Sequence, residues 1–108
     1  MVYHIIGEAI DLVANGTGTI NIVPDVDVTI HKISITSTGR VEINRIEIVG
    51  KRLILKGKIE AANLHEQGNI KVLEEPIALG KGETLSISLL DISGAANRVY
   101  VAVFATSA

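Results

Sequence analysis

The chain has no cysteine and no tryptophan, and of its 108 residues only two are proline and three are aromatic: Tyr3, Tyr100 and Phe104. Without cysteine there is no disulfide framework, no thiolate metal site and no cysteine nucleophile. Without tryptophan, the flat platforms on which sugar-binding sandwiches seat pyranose rings are scarce. Only Tyr3 is expected to be free, because Tyr100 and Phe104 fall in a strand that reads as buried. Neither sign of charge dominates: ten basic and twelve acidic residues leave a net charge of −2. Nothing global therefore draws the chain to nucleic acid or to an anionic membrane, and neither is expected as a partner. No apolar run is long enough to cross a bilayer. Residues Met1 to Glu8 carry neither a basic n-region nor a sustained apolar h-region, so no secretory signal is expected, and the location reads as a virion or the cytoplasm.

What the chain does have is aliphatic surface. Apolar residues make up 47% of it, mostly Ile, Val, Leu and Ala, and mean hydropathy is +0.39. A chain of this length holds one core and one domain. That is more apolar surface than one thin core hides, which predicts contacts between protomers and a homo-oligomer.

The apolar period is two almost throughout, punctuated by turn residues. Strands are predicted at roughly 3–13, 18–23, 26–36, 40–49, 52–56, 70–79, 83–92 and 97–106; segment 58–69 reads as one helical turn or a long loop. Two hairpins are expected. Around Ser37-Thr38-Gly39, with Gly39 taking a positive φ in a G1 bulge, Ile35 would face Val41, Ile33 face Ile43, Ile30 face Ile46 and Val28 face Ile48. Around Asn15-Gly16-Thr17, Ile10 and Leu12 would oppose Ile22 and Ile20. Within the first hairpin the apolar parity switches. Val28 and Ile30 share one face, whereas Ile33 and Ile35 share the other, and Val41/Ile43 and Ile46/Ile48 switch in step. His31-Lys32 and Asn44-Arg45 mark the switch. The preferred cause is a corner, where strands pass between two sheets, often through bulges. The other is a hairpin tip, formed by Ile33, Ile35, Val41 and Ile43, that packs on a neighbouring protomer. Near the C-terminus, Leu85, Ile87 and Leu89 alternate with Thr84, Ser86 and Ser88, whereas Val99–Ala105 is apolar on both faces and belongs inside a sheet or under a partner.

Few residues point to chemistry. His4, His31 and His65 are isolated, with no H-x-H or H-E-x-x-H spacing. Asp25 and Asp27 are weak candidates for Ca²⁺, which needs six or more oxygens; ordinary turn chemistry after Pro24 accounts for them. There is no G-x-S-x-G elbow. Gly80-Lys81-Gly82-Glu83 lacks the rest of a phosphate loop and reads as a tight turn. Arg45, Lys51, Arg52, Lys56 and Lys58 form a basic stretch without aromatics to stack bases, better read as an edge strand guarded against aggregation.

Eight short strands make an all-β fold, an eight-stranded antiparallel β-sandwich, with a jelly roll fitting best and an immunoglobulin-like sandwich second. The run from Gly82-Glu83-Thr84-Leu85-Ser86-Ile87-Ser88-Leu89 through Ser93-Gly94-Ala95-Ala96-Asn97 to Val99-Tyr100-Val101-Ala102-Val103, together with Val28–Ile48, resembles small single jelly-roll structural proteins of viruses and phages. It is also similar to trimeric jelly rolls of the tumour-necrosis-factor and complement-C1q type, without their aromatic trimer core. The viral resemblance implies a capsid, turret, decoration or fibre-head module. The expectation is thus a non-enzymatic, self-associating structural protein without cofactor or small-molecule substrate, with other virion or surface proteins as further partners. Its expected contacts are Ile33, Ile35, Val41 and Ile43 with the outer face of the last strand, Tyr100 and Phe104. A module binding glycan or Ca²⁺ is the alternative.

Overall fold

The computed structural model describes residues 1–60 and 70–108, and for 55–56, 58–60 and 70–75 the backbone course alone. The described residues form eight strands: β1 (Val2–Leu12), β2 (Thr17–Ile22), β3 (Val28–Ser37), β4 (Val41–Ile48), β5 (Arg52–Glu60), β6 (Ile70–Leu79), β7 (Leu85–Asp91) and β8 (Asn97–Ser107). The strand positions follow the apolar alternation closely. Segment 58–69 enters β5 as far as Glu60, and the rest of that expectation lies outside the described residues.

The strands make two four-stranded antiparallel sheets, ordered β1-β8-β3-β6 and β2-β7-β4-β5. Successive strands alternate between the sheets except for β4 and β5, which pair directly. That interleaving is a jelly roll. An immunoglobulin-like order is excluded.

Both expected hairpins are therefore wrong. β3 pairs with β6 and β8, and β4 with β5 and β7, so Ser37-Thr38-Gly39 carries the chain from one sheet to the other. β1 and β2 likewise lie in opposite sheets. Apolar residues that seemed to face each other across a ladder instead share a core between two sheets. Gly39 is needed for a different reason than φ: a Cβ there would come within 2.8 Å of the Ser93 Cβ. In the first turn the left-handed residue is Asn15, at φ 57°.

The parity switch has a local cause. The register of β3 against β8 runs Ile30↔Ala105 and then Lys32↔Phe104, so His31 is an extra residue. Against β7, β4 runs Ile43↔Leu89 and then Arg45↔Ser88, with Asn44 extra. Each is a β-bulge, which restores apolar residues on both sides of it to one face. Bulges were part of the expected corner, but neither strand changes sheet. Ile33, Ile35, Val41 and Ile43 are at most 3% exposed in the chain's own core. They form no projecting tip and offer no surface to a second copy.

The core is filled by the inner faces of both sheets. Val99, Val101 and Val103 of β8 and Leu85, Ile87 and Leu89 of β7 are all fully buried. Both strands have neighbours on both sides, as the apolar character of β8 requires. The basic stretch falls largely on β5, which is an edge strand, in keeping with the guarded-edge reading.

Candidate functional site

Two places deserve description: the loops at one end of the sandwich and the outer face of the β1-β8-β3-β6 sheet. The loop end is organised by two buried polar side chains. Asp91 and Asn97 are 1% and 2% exposed, so each of their polar atoms needs a partner. The Asp91 carboxylate accepts from the backbone N–H groups of Asn15, Ser93 and Gly94, from Ser93 Oγ and from Asn97 Nδ2. Asn97 Nδ2 also donates to the Arg40 carbonyl at 3.0 Å, while Asn97 Oδ1 accepts from Gly39 N at 3.1 Å. The pair thereby ties the β1–β2, β3–β4 and β7–β8 connections together. Donation from Ser93 Oγ holds the Asp91 carboxyl well below its ordinary pKa; burial opposes this, and the Asn15 N–H and Asn97 amide add to it. A carboxylate saturated by five donors has no capacity left for substrate or cation. This cluster is a clamp.

At the opposite end, Gly82 at φ 79° makes the turn Gly80–Glu83, closed by Glu83 N donating to the Gly80 carbonyl at 2.9 Å. This is the tight turn expected there. The Glu83 carboxylate accepts from Gly80 N and pairs with Lys51, whose ammonium lowers its pKa. Asp27 accepts from Lys81 N at 2.8 Å and so serves loop packing. Asp25 is exposed, and no group of three or more His, Asp or Glu converges among the described residues. His4 Nε2 lies 2.7 Å from Ser107 Oγ and His31 Nε2 lies 2.9 Å from Thr106 Oγ1, so each imidazole bonds locally on β8. His65 lies outside the described residues.

The β1–β8 half of the outer face is mainly apolar. In the β1–β8 ladder Tyr3 pairs with Thr106, Ile5 with Phe104, Gly7 with Ala102, Ala9 with Tyr100 and Asp11 with Arg98. Because the residues beside these on β8 are buried in the core, all ten point away from it. Tyr3 is 80%, Ile5 70% and Tyr100 49% exposed, and Phe104 is half-buried. The reading of Tyr100 as buried is therefore corrected: its strand is central, but its side chain is on the outside. Charge enters the patch at two points. Arg98 pairs with Asp11 at 3.2 Å and stacks 5.3 Å above the Tyr100 ring, and Lys32 lies opposite Phe104.

The relief of this face is uneven. A shallow trough of about 420 Å³ runs over Gly7, Ala9, Ser34, Thr36 and Ala102 beside Tyr100. A second hollow of about 370 Å³ lies among Tyr3, Ile5, His31, Lys32, Phe104 and Thr106. Small residues in the middle and bulky ones at either end give knobs and a groove, the relief that sheet packing uses. Sequence reasoning picked Tyr100 and Phe104 but missed Ile5, Gly7, Ala9 and Ala102. Only the β1–β8 register places these four in one patch.

No protein-family model matches the chain, and no curated protein does. Among solved structures it is similar to the NLP core of Drosophila, described as giving insight into pentamer formation and histone binding. The identity is 11%, the TM-score 0.37, and the match covers 94% of this chain and 99% of that one. A likeness at that level carries no argument about what this chain does.

Proposed function

We propose that the chain is a non-enzymatic structural module that self-associates through the outer face of its β1-β8-β3-β6 sheet. The observation that carries this reading is the exposure of Tyr3, Ile5 and Tyr100 on one face, around the small residues Gly7, Ala9 and Ala102. Contiguous apolar surface of this kind marks an interaction site rather than ordinary surface. Covering it favours association by about 1.5–3 kcal/mol for each large side chain fully buried. Several such side chains per protomer are enough for an assembly if the faces fit. A virion or other many-copy surface assembly is the setting implied by the resemblance of the closing strands, and it rests on that resemblance.

Light scattering after size exclusion tests the reading. The expected mass is a multiple of 11.5 kDa. Tyr3→Asp combined with Tyr100→Asp, both on exposed positions, is expected to leave the fold intact and shift the mass toward the monomer. A parent protein that stays monomeric at high micromolar concentration, or a folded double variant that assembles like the parent, refutes it.

A further inference from the structure

The four sheet edges are defended unequally. β5 carries Arg52, Lys56 and Lys58, β6 carries Pro76, and β2 is only six residues long. Charge, proline and shortness are each ways of keeping an edge from recruiting another strand. β1 lacks proline and is not short, and its only charges are the carboxylates of Glu8 and Asp11. It runs for eleven residues without Lys, Arg or Pro, and its register with β8 is unbroken from Val2↔Ser107 to Leu12↔Asn97, so no bulge twists it away. Among the described residues it pairs with β8 alone, which leaves the backbone groups of its other side facing outward.

We propose that this edge pairs antiparallel with β1 of a second copy, about a twofold axis at Ile6. The inference rests on self-association and names a contact that the sheet face alone does not. The sequence of β1 selects the register. A twofold at Ile6 sets Val2 against Ile10 of the other copy, Tyr3 against Ala9, His4 against Glu8 and Ile5 against Gly7. Each Glu8 carboxylate then meets a His4 imidazole, twice by symmetry, and each bulky residue of the outer face lies beside a small one. Centring on Gly7 instead sets Glu8 against Ile6 and Tyr3 against Asp11. Centring on Ile5 sets Glu8 against Val2. Either alternative places a carboxylate across from an aliphatic side chain, which cross-strand pairing disfavours. In the Ile6 register the β1-β8-β3-β6 sheets of two copies become one continuous sheet. Their outer apolar patches then join across the axis, at Tyr3 and Ile5.

The absence of cysteine makes the test clean, since a single introduced thiol has no competitor. Antiparallel partners lie about 4.5–5.5 Å apart at Cα, within disulfide range. Under mild oxidation, Ile6→Cys is expected to form disulfide-linked dimers about 100-fold faster than Val49→Cys, an exposed position on the β4–β5 turn. That ratio compares an effective concentration of about 1 mM with protein at about 10 μM. Because Ile6 is half-buried, a second pair avoids the core: Ile5→Cys and Gly7→Cys. At Gly7 a Cβ comes no closer than 3.7 Å to Val101 O. Mixed in equal amounts, these two are expected to give the 5–7 heterodimer well beyond the twofold excess over either homodimer that random pairing yields, resolved by mass. An oligomer by light scattering with no enrichment at Ile6 or in the 5–7 pair overturns the edge contact and leaves face-to-face association standing. A monomer overturns both. Pairing of this edge with a strand of a different protein, seen as monomeric parent plus crosslinking only to an added partner, also overturns the proposal.

Discussion

Replacing Asn97 probes whether the jelly roll is held at its loop end by a polar clamp. Asn97→Ala removes the acceptor of Gly39 N at 3.1 Å and the donor to the Arg40 carbonyl at 3.0 Å and to Asp91 Oδ1 at 2.9 Å. The losses are unequal. The Arg40 carbonyl still accepts from Ile92 N, and Asp91 keeps Ser93, Gly94 and Asn15. Gly39 N–H loses its partner, and Ser93 crowds the space above Gly39. Orphaning the half-buried Gly39 N–H costs about 1–3 kcal/mol, and each of the two bonds lost without an orphan about 0.5–1.5 kcal/mol. The sum is about 2–6 kcal/mol, seen in urea as a lower midpoint at unchanged m.

Asn97→Asp separates charge from packing. It keeps the shape and the acceptor for Gly39 but sets a second carboxylate against Asp91, where the amide now donates. At pH 7 this variant is expected to fall below Asn97→Ala. Near pH 4, where a protonated residue 97 donates again, it is expected to rise above Ala. An Ala variant within about 0.5 kcal/mol of the parent, or an Asp variant that outranks Ala at pH 7, would refute the clamp.

Two further outcomes are expected. The Asp91 pKa is lowered on folding, chiefly by Ser93 Oγ, from the ordinary aspartate value of 3.8. Its contribution to stability is therefore complete above about pH 4 and lost as pH falls toward the folded value; urea midpoints from pH 7 to pH 3 should decline, and Asp91→Asn should flatten that decline. Deletion of His31 removes the extra residue of the β3 bulge and leaves Val28, Ile30, Ile33 and Ile35 in simple alternation. It should cost only about the 0.5–1.5 kcal/mol of the bond to Thr106, whereas deletion of Ser34 puts Ile33 next to Ile35, forces one outward and should cost several-fold more by urea unfolding.

The sequence was most legible where periodicity alone decides. Alternation places all eight strands, and apolar residues on both faces mark β8 as interior, because a strand covered on both faces has little room for polar residues; β7 read only as half-buried. Partner choice was illegible for the same physical reason. Ile33 opposite Ile43 satisfies a hairpin ladder and a two-sheet core equally well, since burial rewards both without regard to hydrogen bonding. Turn chemistry did not break the tie: the need for a small residue at Gly39 comes from Ser93, 54 positions away in the chain. The clamp was equally hidden, as neither Asp91 nor Asn97 stands out until three loops converge on them. The apolar outer face was half visible. Tyr100 and Phe104 announced it on β8, but Ile5, Gly7 and Ala9 joined them only through the β1–β8 register.

The bulges connect these points to function. A parity switch midway along an apolar strand has two meanings with opposite consequences for an interface. If the strand stays regular, the second half presents its aliphatic residues outward and a partner must cover them. If one residue is inserted, both halves face one core and nothing is left over. β3 and β4 take the second course, with His31 and Asn44 inserted, so the excess of aliphatic residues read from composition is absorbed there by the core. What remains for a partner is where no bulge intervenes. β1 keeps strict alternation for its whole length, and its outward set, Tyr3, Ile5, Gly7 and Ala9, is exposed. The strand that is regular, free of Lys, Arg and Pro, and apolar on its outer side is the one with surface to spare, so the contact with a second copy lies at β1 and not at the β3–β4 connection.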